Sequence, residues 1–327
     1  MLKAGPAVPS SDGLLGIAIQ EMQHLAVVNK LLVALGSSPN LAAQDFPYEI
    51  DVYPFPINME RLSRSSLARY TYVEAGRKSM PADEGKDLDN QLLCDKLTAE
   101  LGTDTGMNRV AGLYEIVVGH LETMRAEDRL ELDNYDDWIE QLDYIMDEGE
   151  TAHFRFFSNL FLGDHPAFGE IDNPWDLPED HADFPSFQVE PNPTAYWGHE
   201  NQIMSPEARA YAWLANLHYW IVLMMLDLHY RIDSEALNSM AQTHMVGPLQ
   251  SLAVKLAQYG TGVPFDRLSL GYSPAHNHAG NLRMLKRLSW EADTLAKKMQ
   301  AGLPAGYPLE LHRATIAIID AELSRFN

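Results

Sequence analysis

The chain has 327 residues, is 46% hydrophobic, and carries 46 acidic against 24 basic side chains for a formal charge of −22. That length buries a large core, either in one helical domain or in a bundle with a helical annex. The acidity, with no basic cluster along any predicted helix, excludes a sequence-independent grip on nucleic-acid phosphates.

Gly13 to Leu35 places Leu14, Ile17, Leu25, Val28, Leu32 and Leu35 at three- and four-residue steps, after Asp12 as N-cap and before Gly36 as a stop. This predicts the first helix. Pro47, Pro54 and Pro56 then forbid helix and favour an extended crossover. A short helix is expected near Met59 to Tyr72, and further helices over Leu88 to Leu101 and Asn108 to Met124. Asp136 to Leu162 reads as one long helix, with Trp138, Leu142, Ile145, Met146, Phe154, Phe157 and Leu160 as its apolar stripe.

Seven prolines fall between Gly163 and Pro206, so residues 164–206 are expected to form a long Pro-rich acidic loop, acting as a lid. Helix resumes over Glu207 to Arg231, Ala236 to Tyr259, Asn281 to Met299 and Leu309 to Phe326. No strand series with period-two alternation and no repeat is visible. The expectation is an all-α bundle core in residues 1–163, the lid in 164–206, and C-terminal helices in 207–327 packed on the bundle as one structural domain.

Cys94 is the single cysteine, which rules out a disulfide framework and a thiolate metal site and suits a reducing compartment. The N-terminus lacks a signal-peptide pattern, and the longest apolar run, Tyr219 to Leu226, falls short of the roughly 18 residues a membrane span needs. A cytoplasmic location without membrane contact is expected. Cys94 has no adjacent His and reads as a core thiol; His276-Asn277-His278, in a loop, is discounted as a metal site.

Two Glu-x-x-His units carry the chemistry, Glu21 to His24 and Glu150 to His153. Positions i and i+3 share a helix face, so each unit presents a carboxylate and an imidazole to one point. Their count alone decides nothing, because each His could be a satisfied core side chain and each Glu an arginine's partner. Their neighbours are apolar, however, and a third carboxylate, Glu115 in Leu113-Tyr114-Glu115-Ile116, sits on a similar face. Buried carboxylates are costly unless paired or metal-bound. Two-metal sites in four-helix bundles use Glu and Glu-x-x-His ligands of this kind, which suit iron or manganese. The expected metal set is Glu21, His24, Glu115, Glu150 and His153, holding one or two metals.

Glu21-Met-Gln-His24 followed by Asn29-Lys-Leu-Leu-Val-Ala-Leu-Gly36 resembles the ferritin-like iminophenyl-pyruvate dimer synthase family, whose members include domains in bisindole pigment and alkaloid biosynthesis. The Pro-rich crossover, Leu113-Tyr114-Glu115, Glu150-Thr-Ala-His153-Phe-Arg155, His244-Met-Val-Gly-Pro248 and Gly260-Thr-Gly-Val-Pro264 extend the resemblance over most of residues 13 to 270. It implies a ferritin-like four-helix bundle and a non-haem iron enzyme that oxidises or oxidatively couples an amino-acid-derived small molecule in specialised metabolism.

The family begins with a helix bearing one more Glu, whose equivalent here would precede Met1. Glu322 is one candidate replacement, and Asp227 a weaker one because Arg231 offers it an ion pair. Two other readings stay open: a scaffold partner of a pathway enzyme, and a metal-independent acid-base catalyst. A homo-oligomer is also open.

Overall fold

The computed structural model describes residues 13–41, 46–48, 53–76, 88–102, 110–165, 168, 173–267 and 277–326, without the side chains of 88–91 and of Glu150. It divides into two compact units, one of Met1–Leu35, Tyr48–Ile57 and Arg61–Phe187, the other of Gly36–Pro47, Asn58–Glu60 and Gln188–Asn327. The architecture is all-α: among the described residues the only β-type pairings are the isolated bridges Tyr48/Ile57 and Thr194/Gln202. No helix among them is long and apolar enough to cross a membrane.

The first unit is built from α1 (Leu14–Ala34), α2 (Arg64–Glu74), α3 (Leu88–Leu101), α4 (Val110–Ala126), α5 (Tyr135–Glu148) and α6 (Phe154–Leu162). Along α1 the residues Ile17, His24 and Leu31 are buried, seven apart, which is two turns and therefore one line down the helix. His24 thus stands in the middle of an apolar line. Helix α2 starts where Ser63 and Ser66 cap each other, the Ser63 hydroxyl accepting from the Ser66 N–H and the Ser63 N–H donating to the Ser66 hydroxyl.

The predicted single helix over 136–162 bends through a π-turn at Gly149–His153 that joins α5 to α6. A π-turn adds a residue to the turn and shifts the register of everything after it. Leu142 and Ile145 before the turn, and Phe157, Leu160 and Phe161 after it, all remain buried. In the Pro-rich stretch expected to form a lid, Trp175 and Phe184 pack into the same core cluster as Phe157 and Leu160, and the Trp175 indole donates to the Leu160 carbonyl at 2.6 Å. Cys94 lies in that cluster too.

The second unit centres on α7 (Pro206–Ile232), with α8 (Glu235–His244), α9 (Gln250–Ala257), α10 (His278–Lys298) and α11 (Leu311–Leu323). Ser205 caps α7 by accepting from the Ala208 N–H, and Pro206 occupies the first turn, where its missing N–H costs nothing. The apolar run 220–226 is a packing helix: Ile221, Met224 and Met225 are 0–1% exposed. Asp227 meets Arg231 at 2.9 Å one turn on, the ion pair the spacing suggested. A second π-turn, Met245–Leu249, links α8 to α9 around Pro248, which has no N–H for a regular helical bond.

Three histidines that no site reading used are locked together in this unit. His244 Nε2 is 2.8 Å from the Thr315 hydroxyl, which itself donates to the Leu311 carbonyl. With that hydrogen placed, the chain has one direction. His244 Nε2–H donates to Thr315, His218 Nδ1–H donates to His244 Nδ1 at 2.8 Å, and the Tyr307 hydroxyl donates to His218 Nε2 at 2.5 Å. His312 Nε2–H then donates to Tyr307 at 3.2 Å, leaving His312 Nδ1 buried without a partner.

Each imidazole carries one hydrogen and no charge. Burial, with the neighbouring imidazoles adding repulsion, pushes His244 down to about 3 and His218 well below its usual value. Burial likewise lowers His312 to about 4. Groups whose folded pKa is depressed stabilise the fold fully above their unfolded value and lose that contribution as pH falls through the folded one. We therefore expect stability to fall as pH drops from about 6.5 towards 4. In denaturant titrations across that window, His312→Leu should reduce the slope of stability against pH by about 1.4 kcal/mol per pH unit, the share of one proton.

Candidate metal centre

Four helices of the first unit converge on one polar cluster. α1 supplies Gln20, Glu21 and His24; α2 supplies Glu74 from its last turn; α5 supplies Glu148; and the π-turn supplies His153. α4 contributes Ala111 and Tyr114 to the wall. Ligand atoms of Glu21, Glu74 and His153 all lie within 4.8 Å of one another. A cavity of about 50 Å³ opens among Glu21, His24, Glu74, Tyr114, Met146 and Gly149. That is room for an ion with a few small ligands, since one water needs roughly 10–15 Å³ of such space.

Glu21 is the hinge of the arrangement. Its Oε1 is 2.9 Å from His153 Nδ1, and its Oε2 is 3.5 Å from His24 Nδ1. Glu74 adds a second carboxylate 3.6 Å from His153 Nδ1. The rear edge of each ring is held separately. His24 Nε2–H donates to Glu148 at 2.8 Å, and His153 Nε2–H donates to the Gln20 side-chain oxygen at 3.1 Å. Gln20 closes the circuit by donating its amide to Glu148 at 2.7 Å.

These outer bonds fix the tautomers. A carboxylate only accepts, and so does the amide oxygen, so both Nε2 atoms carry hydrogen and both Nδ1 atoms face Glu21. His153 Nδ1 is fully buried and, although 2.9 Å from Glu21, makes no angle a hydrogen bond would accept. An orphaned ring nitrogen between two carboxylates is what a ligand atom for a cation looks like, and the all-N/O donor set suits iron or manganese. Without a cation, protons do the balancing. Burial lowers His153, but Glu21 and Glu74 outweigh it and raise the ring to about 9. Burial raises Glu21, but the two imidazoles outweigh it and hold the carboxyl at about 2. Tyr114 is pushed up to about 12 by burial and by the facing carboxylates.

The sequence-predicted residues fare unequally. Glu21, His24 and His153 meet here, although Glu21 is 47% exposed and not inside the apolar stripe. Glu150 lies in the π-turn, and its side chain is outside the described residues. Glu115 is half-buried on α4 next to Tyr114, and is not one of the three residues whose ligand atoms converge. Glu322 takes a bond from the Ser234 hydroxyl at 2.6 Å and pairs with Arg325 in its own unit, and Asp227 pairs with Arg231. His276 lies outside the described residues.

Glu74, Glu148 and Gln20 were not foreseen. Glu148 precedes His153 by five, the spacing a π-turn aligns. Glu74 stands where a helix C-terminus disfavours negative charge, a cost that only a positive partner offsets. Gly149 makes space for it: a Cβ there would sit 3.3 Å from Glu74 Oε2.

A family model described as Ferritin-like matches residues 8–137. The chain is 25% identical over 315 residues to dichlorochromopyrrolate synthase of Lentzea aerocolonigenes, covering 80% of this chain and 30% of that protein. It therefore spans about a third of the length of that relative. No solved structure matches it.

Because metal must displace the proton from His153, apparent affinity should climb as pH rises from 6 towards about 9. Gln20→Leu, which leaves both rings without their shared tie, should weaken binding of manganese by about 10- to 100-fold with the helical circular dichroism retained. Equilibrium dialysis against the metal across that pH range measures both effects.

Proposed function

We propose that this chain is a ferritin-like non-haem iron enzyme of specialised-metabolite biosynthesis, which oxidises or oxidatively couples an amino-acid-derived small molecule. The observation that carries this reading is the Glu21 carboxylate facing two imidazole Nδ1 atoms, with Glu74 beside one of them, inside a helical bundle. The named relative supports it at the level of a biosynthetic synthase.

In this reading Glu21, His24, Glu74 and His153 hold one or two iron ions, with manganese as the alternative, and Glu115 and Glu150 complete the set. Bound ferrous ion would supply electrons to dioxygen or peroxide beside an electron-rich imine or enamine substrate. Gln20 and Glu148 keep both rings turned with Nδ1 inward. Ile145, Met146, Val110 and Ala111 line the remaining wall with apolar surface and limit the water beside the carboxylates. Tyr114 lines the cavity, and burial with the facing Glu21 and Glu74 carboxylates keeps its hydroxyl protonated.

Elemental analysis of the anaerobically purified protein beside Glu21→Ala and Glu74→Ala tests this directly. We expect about one to two equivalents of iron in the wild type and loss from both variants. No stoichiometric metal, even after reconstitution with ferrous ion, would sink the oxidase and leave a scaffold or a metal-independent acid-base catalyst.

A further inference from the structure

We propose that His229, Asp233 and Glu235, at the junction of α7 and α8, form a separate divalent-cation site that takes a first-row transition metal such as zinc. Ligand atoms of these three residues lie within 4.8 Å of one another. None belongs to the ferritin-like cluster, and all lie in the C-terminal unit.

The imidazole is what lifts this above a pair of surface carboxylates. His229 is only 2% exposed, so its ring cannot turn away to solvent. Its Nδ1–H donates to the Ser234 carbonyl at 3.0 Å, which puts the lone pair on Nε2. No hydrogen bond reaches Nε2 among the described residues; its nearest acidic neighbour is Glu235 Oε1 at 3.9 Å. An Nε2 lone pair facing two carboxylates on an otherwise buried ring is repulsive unless a cation or a bridging proton donor stands between them, and a divalent cation satisfies all three at once.

The surroundings hold that orientation. Ser234 is fixed by its hydroxyl bond to Glu322 at 2.6 Å, which explains why the accepting carbonyl stays in place and gives Glu322 a use in this unit. Asn238 donates to Glu235 Oε2 at 3.3 Å, leaving Oε1 turned to His229. Glu235 is 74% exposed, so the small swing from 3.9 Å to the roughly 3.4 Å separating two donors on one tetrahedral ion is unhindered. One nitrogen and two carboxylates with open positions for water suit zinc or its neighbours, whereas magnesium and calcium prefer oxygen alone.

The test uses the full chain, stripped with chelator, in a Glu21→Ala/Glu74→Ala/His153→Ala background that disables the ferritin-like cluster. Calorimetric titration with zinc should give about one equivalent, absent after the further change His229→Gln. If His229→Gln does not fold, the exposed Glu235→Gln should weaken zinc binding at least tenfold with helicity unchanged. No zinc uptake in the background, or uptake indifferent to both substitutions, would overturn the proposal.

Discussion

The first unit depends on one carboxylate being held with an oxygen towards each of two imidazoles from different helices. Glu21 can do this only because α1 carries His24 on its buried line while Glu21 stays half exposed, free to reach His153 across the bundle. Three carboxylates, Glu21, Glu74 and Glu148, face two rings. With both rings protonated the cluster is one charge short of neutral; with both neutral it carries three uncompensated negative charges. Protons and metal therefore compete for the same balancing role. That competition explains why the bundle tolerates so much acid here with no arginine or lysine among the cluster's partners in the described residues.

The helices were legible because their apolar residues repeat at helical spacing, and the Glu21/His24 pair was legible because α1 is unbroken between them. The second pair was read on the assumption of an equally regular helix. The π-turn at Gly149–His153 violates that assumption, and brings Glu148 into the ring of bonds five residues before His153. Nothing in hydrophobic periodicity announces a one-residue register shift. Glu74 was missed for a different reason: the predicted helix ended at Tyr72, and a lone Glu at a helix end looks like a solvated residue. Its partner lies 79 positions away, which no local pattern encodes. The grouping of Gly36–Pro47 with the C-terminal unit is equally non-local.

The same side chain serves opposite ends in the two units. His24 and His153 have carboxylates against them and are raised, whereas His218, His244 and His312 hydrogen-bond to one another, a tyrosine and a threonine, and burial lowers them. In sequence only a Glu three positions earlier sets His24 and His153 apart from His218, His244 and His312. The environment separates them: a carboxylate within ion-pair distance makes a ring a place for a cation, and a closed circuit of neutral donors makes it a structural clamp.

That distinction also bears on what the centre can select. The space of about 50 Å³ among the described residues beside Glu21 and Glu74 is that of an ion with small ligands such as water, and is smaller than an aromatic ring needs. In the proposed reading, discrimination between organic substrates would come from surfaces outside the carboxylate cluster, while the cluster would set the reactivity. Such a division leaves Glu21, Glu74 and the two imidazoles free to be optimised for charge alone, which is the property their geometry most visibly serves.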